Sequence, residues 1–148
     1  SLILLKENNS LLLFNSEEKK WVNFESPSFA YKLVPSPDNK NLIYWGEKEI
    51  YIYSFSEKKY QKIISGDNIK NCLWLNNNYI IFVDKDNIMI SEIDYRGDIN
   101  KFNLRETFLP PDDKELLIKN PEIFFIPSNA KLYLLTENKL WETEKILP

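Results

Sequence analysis

Histidine is missing from all 148 residues. Its absence removes Ser-His-Asp and Cys-His catalysis, imidazole metal sites and the usual general base near neutral pH. Cys72 is the single cysteine, so no intramolecular disulfide exists. In the run Cys72-Leu73-Trp74-Leu75 it reads as a buried, inert thiol, and one cysteine separates neither redox compartment from the other. Only three glycines are present, and they form no GxGxxG, P-loop or GxSxG pattern. No apolar stretch reaches the roughly 18 to 20 residues of a spanning helix. Residues 2–5 are too short for a signal h-region and carry no basic flank. An excess of one charge is lacking too: 19 basic side chains face 22 acidic ones for a net charge of −3. The signs are interspersed, leaving no basic stripe to neutralise phosphates, so nucleic acid is not an expected partner.

What is present is apolar and aromatic. At 43% hydrophobic and 14% aromatic, the chain has the composition of a folded domain with a real core. One hairpin is written four times, at 2–14, 42–53, 80–91 and 132–143. Each copy is an apolar run of four, a polar turn, and a second, more alternating run. The last three align without a gap, and the first needs one extra residue. Repetition at roughly 40 residues, with several short strands per period, predicts an all-β array of propeller blades.

The second repeat sets the frame. Strands are expected at 29–34, 42–45, 50–53 and 60–64, making one four-stranded antiparallel blade. Ser36-Pro37-Asp38-Asn39-Lys40 is its first turn, with proline presetting φ and Asp and Asn tolerating the tight backbone. The third repeat is read as strands at 69–75, 79–83, 87–93 and 99–104. In the first repeat 21–24 is the outer strand and an inner strand is lacking; the fourth has 123–126, 132–135 and 139–143. The domain is thus read as a single partial or complete propeller over 1–148. Its repeats lie near 1–26, 27–66, 67–104 and 121–148, with an insertion at 105–120. Within that insertion, Asp112 or Asp113 is placed to N-cap one or two helical turns over 110–119.

A propeller closes by pairing strands from its two ends into one blade, and the incomplete end repeats leave that closure open. Three arrangements compete: a piece of a larger ring, a ring completed by a second copy, and a strained four-bladed ring. The first two are favoured together, so a dimer or higher assembly is expected. The chain opens on Ser inside a repeat, which suggests a segment of something longer.

At Ser36-Pro37-Asp38-Asn39-Lys40-Asn41-Leu42-Ile43-Tyr44 the sequence resembles the TolB-type and tryptophan–aspartate-like propeller repeats of bacterial proteins. Trp74 stands at that family's tryptophan position in the third repeat, with Val34 and Phe125 replacing it in the second and fourth. Asparagine stands where the turn glycine is usual, a swap the left-handed backbone tolerates. The resemblance implies a binding or scaffold role, often in the bacterial envelope or beside a catalytic domain, and fixes no ligand.

The remaining signals are weighed on their chemistry. Asp84-Lys85-Asp86-Asn87 lacks the glycine and distal glutamate of a calcium loop and reads as a hairpin turn. Adjacent Asp112 and Asp113 cannot show the facing geometry of a glycosidase pair. Trp45, Tyr51, Tyr53, Trp74, Tyr79, Phe82 and Trp141 fit inter-blade packing. Trp21 and Tyr60 share an equivalent outer-strand position and are candidate partner-binding residues. Asp112, Asp113 and Lys114 join them, because a long insertion in a terse domain often carries function. The mixed-sign runs Glu17-Glu18-Lys19-Lys20 and Glu57-Lys58-Lys59 read as solvated loop tips. The expected function is a non-catalytic interaction module with no cofactor and no metal, contacting a protein partner, or a second copy of itself, through inter-blade loops. An accessory propeller of a larger hydrolase and an envelope carbohydrate-binding protein are the alternatives.

Overall fold

In the computed structural model the described residues are 3–5, 11–15, 19–24, 32–94, 96, 99–104, 118–136 and 139–145. Among them every regular element is a strand. The strands form four antiparallel meanders in chain order. Blade 1 is β1 (Ile3–Leu5), β2 (Leu11–Asn15) and β3 (Lys20–Phe24). Blade 2 is β4 (Lys32–Pro35), β5 (Asn41–Trp45), β6 (Glu49–Ser54) and β7 (Lys59–Ser65). Blade 3 is β8 (Ile69–Trp74), β9 (Tyr79–Asp84), β10 (Asn87–Glu92) and β11 (Lys101–Asn103). Blade 4 is β12 (Glu122–Ile126), β13 (Lys131–Thr136) and β14 (Lys139–Lys145). The helix expected over 110–119 falls mostly outside the described residues; Ile118 and Lys119 are irregular.

Why these runs become two-faced sheets follows from their pairing. Ile43 lies opposite Ile52 and Trp45 opposite Ile50, while Leu42 faces Tyr53 and Tyr44 faces Tyr51. Side chains alternate across a strand, so the uninterrupted apolar run of β5 loads both faces of blade 2. One face, with Ile43, Trp45, Ile50 and Ile52, packs into a cluster with Cys72, Trp74, Ile80 and Phe82 of blade 3. We call the face of a blade that meets its successor the leading face, and the opposite one the trailing face. The leading face of blade 3, with Ile81, Val83 and Ile88, packs on Ile123, Leu132 and Leu134 of blade 4. Leu42, Tyr44, Tyr51 and Tyr53 on the trailing face of blade 2 are also buried, the Tyr44 and Tyr51 rings stacking at 5.4 Å. Among the described residues the core is therefore laminated, with one apolar layer between blades 2 and 3 and another between blades 3 and 4.

Polar bonds tie the inner strands together across these layers. Trp74 Nε1 donates to the Val34 carbonyl at 2.9 Å, and Asn71 Nδ2 to the Ile123 carbonyl at 3.1 Å. The Ser36–Lys40 turn has the chemistry its sequence suggests. Asn39 takes a left-handed φ of 57°, affordable for asparagine. The buried Ser36 hydroxyl donates to Asp38 Oδ1 at 2.7 Å and accepts from Asn41 N at 3.0 Å. Its neighbours also anchor blade 3, where Asn77 Oδ1 accepts from Asp38 N at 3.1 Å.

Candidate functional site

The blades expose two rims. The lower rim carries the turns 36–40, 55–58 and 75–78 and the connection after β10; the upper rim carries 46–48, 66–68 and 85–86. The upper rim is committed to backbone bonding. Gly66 N donates to Lys48 O at 2.8 Å and Lys85 N to Asn68 O at 3.0 Å. Asp84 Oδ1 accepts from Asp67 N and Asn68 N at 3.0 and 2.8 Å, and Asp86 Oδ1 accepts from Asn120 N at 2.9 Å. Asp84 and Asp86 thus stitch successive blades, and Lys85 between them takes a φ of 57°. The segment behaves as a hairpin turn.

On the lower rim a polar cleft of about 280 Å³ opens between blades 2 and 3. Its floor is apolar, from Ile52 and Ile93. The β7 wall presents Lys59 and Gln61, which the register places on the leading face opposite Ser54 and Ile52. Asn41, Glu57 and Asn78 come from the hairpins, and Asp94 and Arg96 from the connection after β10. The Arg96 side chain forks onto Asp94, Nε to Oδ1 at 2.9 Å and a terminal nitrogen to Oδ2 at 2.7 Å. The Arg96 amide adds a third bond to Oδ1 at 3.1 Å. The guanidinium first and that amide second hold the Asp94 carboxyl down at about 2, below its ordinary 3.8.

This lining holds two acidic and two basic side chains, with carboxamides from Asn41, Gln61 and Asn78. Such a surface offers donors and acceptors along a shallow groove rather than an enclosed apolar pocket. Among the described residues the carboxyls whose pKa is displaced, Asp38, Glu49, Asp67, Asp94 and Glu142, are all displaced downward. A general acid requires displacement in the opposite sense. The Cys72 thiol is fully enclosed between blades, and burial pushes its pKa far up. Among the described residues no group of three or more His, Cys, Asp or Glu side chains is placed to hold a metal. Nor do they form any helix long and apolar enough to cross a membrane.

Trp21 and Tyr60 do occupy matching positions: Trp21 pairs with Phe14 on β2 and Tyr60 with Tyr53 on β6. Both are 43% exposed, and the Trp21 ring lies tilted against Phe14 at 5.2 Å. They sit on trailing faces, so the structure does not bring Tyr60 into the cleft that its neighbours Lys59 and Gln61 line. Asp112, Asp113 and Lys114 lie outside the described residues. Trp45, Tyr51, Tyr53, Trp74 and Phe82 are buried, and Tyr79 and Trp141 half-buried. Sequence reasoning did not single out Asp94, Arg96 or Gln61, and it read Glu57 and Lys59 as solvated tips. Their only signal was strand parity: with Ile52 on the leading face, Gln61 and Lys59 follow.

No family model matches the chain, and no curated protein matches it. Solved structures do resemble it. The extracellular domain of BT4673 from B. thetaiotaomicron superimposes with a TM-score of 0.61 at 12% identity, over 98% of this chain and 20% of that one. A chain of the mitotic checkpoint complex gives 0.61 at 13% identity, over 93% of this chain and 44% of that one. A candidate 6-phosphogluconolactonase from Bacteroides uniformis gives 0.54 at 15% identity, over 93% and 48% respectively. The chain thus spans a fifth to just under half of these structures. The likeness establishes a propeller-like fold.

Proposed function

We propose that the chain is a non-catalytic interaction module that holds an extended segment of a protein partner in the lower-rim cleft between blades 2 and 3. The observation that carries this reading is the lining itself. Both signs of charge and three carboxamides edge an apolar floor, and that pattern suits a peptide backbone with alternating polar groups. The displaced carboxyls, held ionised by their partners, fit recognition better than acid–base chemistry. The repeats belong, on this reading, to the TolB-type or tryptophan–aspartate-like class. The Ser36–Lys40 turn and the Trp74 bond to the preceding blade support that assignment.

A peptide-display selection on the whole chain tests the proposal. Enriched peptides should bind wild type, and lose binding to Lys59→Glu and to Asn78→Ala, both exposed positions whose substitution leaves the core intact. Enriched peptides that bind these variants unchanged would place recognition elsewhere. Failure to enrich any peptide would count against the reading as a whole.

A further inference from the structure

We infer that the lower-rim cleft takes its partner segment by an aspartate or glutamate side chain, whose carboxylate seats over Ser54 between Asn41 and Lys59. The inference rests on the peptide-binding reading above and names the residue class that the cleft selects. Its ground is the row of side chains where the leading face of each blade meets the lower rim. In blade 3 that row is Tyr79 on β9, Glu92 on β10 and Asn100 just before β11. The Glu92 carboxylate closes the row. Its Oε1 accepts from Tyr79 Oη at 3.3 Å and its Oε2 from Asn100 Nδ2 at 3.1 Å. In blade 4 a carboxylate serves the same end of the face, where Lys131 pairs with Glu142 of β14.

The gapless alignment of the hairpins puts Asn41 where blade 3 has Tyr79, and Ser54 where it has Glu92. Asn41 is the cross-strand partner of Ser54, and Ser54 of Lys59. Blade 2 therefore has the same row, with a carboxamide and an ammonium at its ends and a hydroxyl at its centre. Serine is too short to bridge them, and its oxygen is engaged within its own turn. Ser54 Oγ accepts from Glu57 N at 3.3 Å and lies 3.1 Å from Ser56 Oγ. Among the described residues, neither the Asn41 carboxamide nor Lys59 Nζ enters a hydrogen bond or an ion pair. The two carboxylates of the lining, Glu57 and Asp94, thus bond to neither, and Arg96 holds Asp94 through three bonds. All three members of the row line the cleft. A carboxylate brought in by the partner completes in blade 2 what Glu92 completes in blade 3. One of its oxygens accepts from the Asn41 amide and the other from Lys59, both bonds being charge-assisted.

The probe is a library of random peptides displayed with both ends joined to a carrier, so that no terminal carboxylate competes. Selection on the full chain should enrich peptides that share one aspartate or glutamate. In the end-blocked synthetic peptide, changing that acid to its amide should weaken binding about 10-fold. Lys59→Gln should remove the difference between acid and amide, and Lys59→Arg should restore part of it. Ser54→Glu supplies the carboxylate of blade 3 from within; it should keep the circular dichroism of wild type and exclude the acidic peptides. Should that variant misfold, the two Lys59 variants decide. Enriched peptides with no shared acid overturn this inference and leave the peptide-binding reading standing, whereas no enrichment overturns both. An acid preference that survives Lys59→Gln, or acidic peptides that bind folded Ser54→Glu as tightly as wild type, would overturn the assignment of the carboxylate to this row.

Discussion

Replacing Gly66 by alanine puts a methyl group into the connection between β7 and β8, where there is no room for one. A Cβ at this position would stand 2.7 Å from Asp84 Oδ2, 3.0 Å from Asp84 Cγ and 3.0 Å from Ile69 Cγ1. Ile69 is buried and gives little. The Asp84 carboxylate must move, and Oδ1 of that carboxylate accepts the Asp67 and Asn68 amides at 3.0 and 2.8 Å. Losing two charge-assisted bonds at a partly exposed site costs about 2–3 kcal/mol. The smaller conformational entropy of the unfolded alanine chain returns about 0.4–1 kcal/mol. The net loss is about 2 kcal/mol, or about 4–8 °C in Tm for a domain of this size. Urea unfolding followed by tryptophan fluorescence reads it, with an unchanged m-value. Asp84→Ala should cost a similar amount by deleting the acceptor without a clash. The double variant should then lose less than the sum of the two single losses, because the nearer group that the methyl strikes is gone and only the Ile69 contact remains. A neutral Gly66→Ala, or strictly additive losses in the double variant, would refute this account.

Three further outcomes follow from the geometry. Trp74→Phe should cost about 1 kcal/mol more than Trp45→Phe in the same urea assay, because Trp74 Nε1 serves the Val34 carbonyl. Trp45 Nε1 has no hydrogen-bond partner among the described residues. Cys72 should be inert to a thiol reagent in the native state and react at the rate of unfolding, as its burial requires; prompt labelling would contradict the packing. Asp94, with a folded pKa of about 2 against 3.8, contributes stability that is fully present above pH 3.8. That contribution is lost as pH falls through about 2. Carboxyl NMR titration should show the low midpoint in wild type and its return toward the ordinary value in Arg96→Ala.

The fold was legible because propeller blades repeat in sequence as well as in space. The hairpins at 42–53, 80–91 and 132–143 each place an apolar run before a turn and an alternating run after it, and each became two paired strands. Asn39 could be assigned to a left-handed turn from its residue type alone. The matching of Trp21 with Tyr60 came from the same register. The cleft was not legible, since it is built from four separate hairpins whose rims meet only once blades 2 and 3 stack. Nothing in Glu57 or Arg96, read along the chain, distinguishes a groove wall from a solvated tip. The exposed leading face of blade 4, with Leu135 and Leu140, was hidden for the opposite reason: both look like any core residue until their exposure is known.

The laminated core has a consequence for how the molecule comes apart. Its apolar contacts lie in layers between neighbouring sheets, so cooperativity passes from each blade to the next rather than through one common centre. Blade 3, sandwiched on both sides, is the keystone, while among the described residues blade 4 has apolar cover on one side only. Amide exchange should accordingly grade along the array, fastest in β14 and slowest in β9. Whatever covers the exposed face of blade 4 would then raise the protection of that blade and, through it, of blade 3.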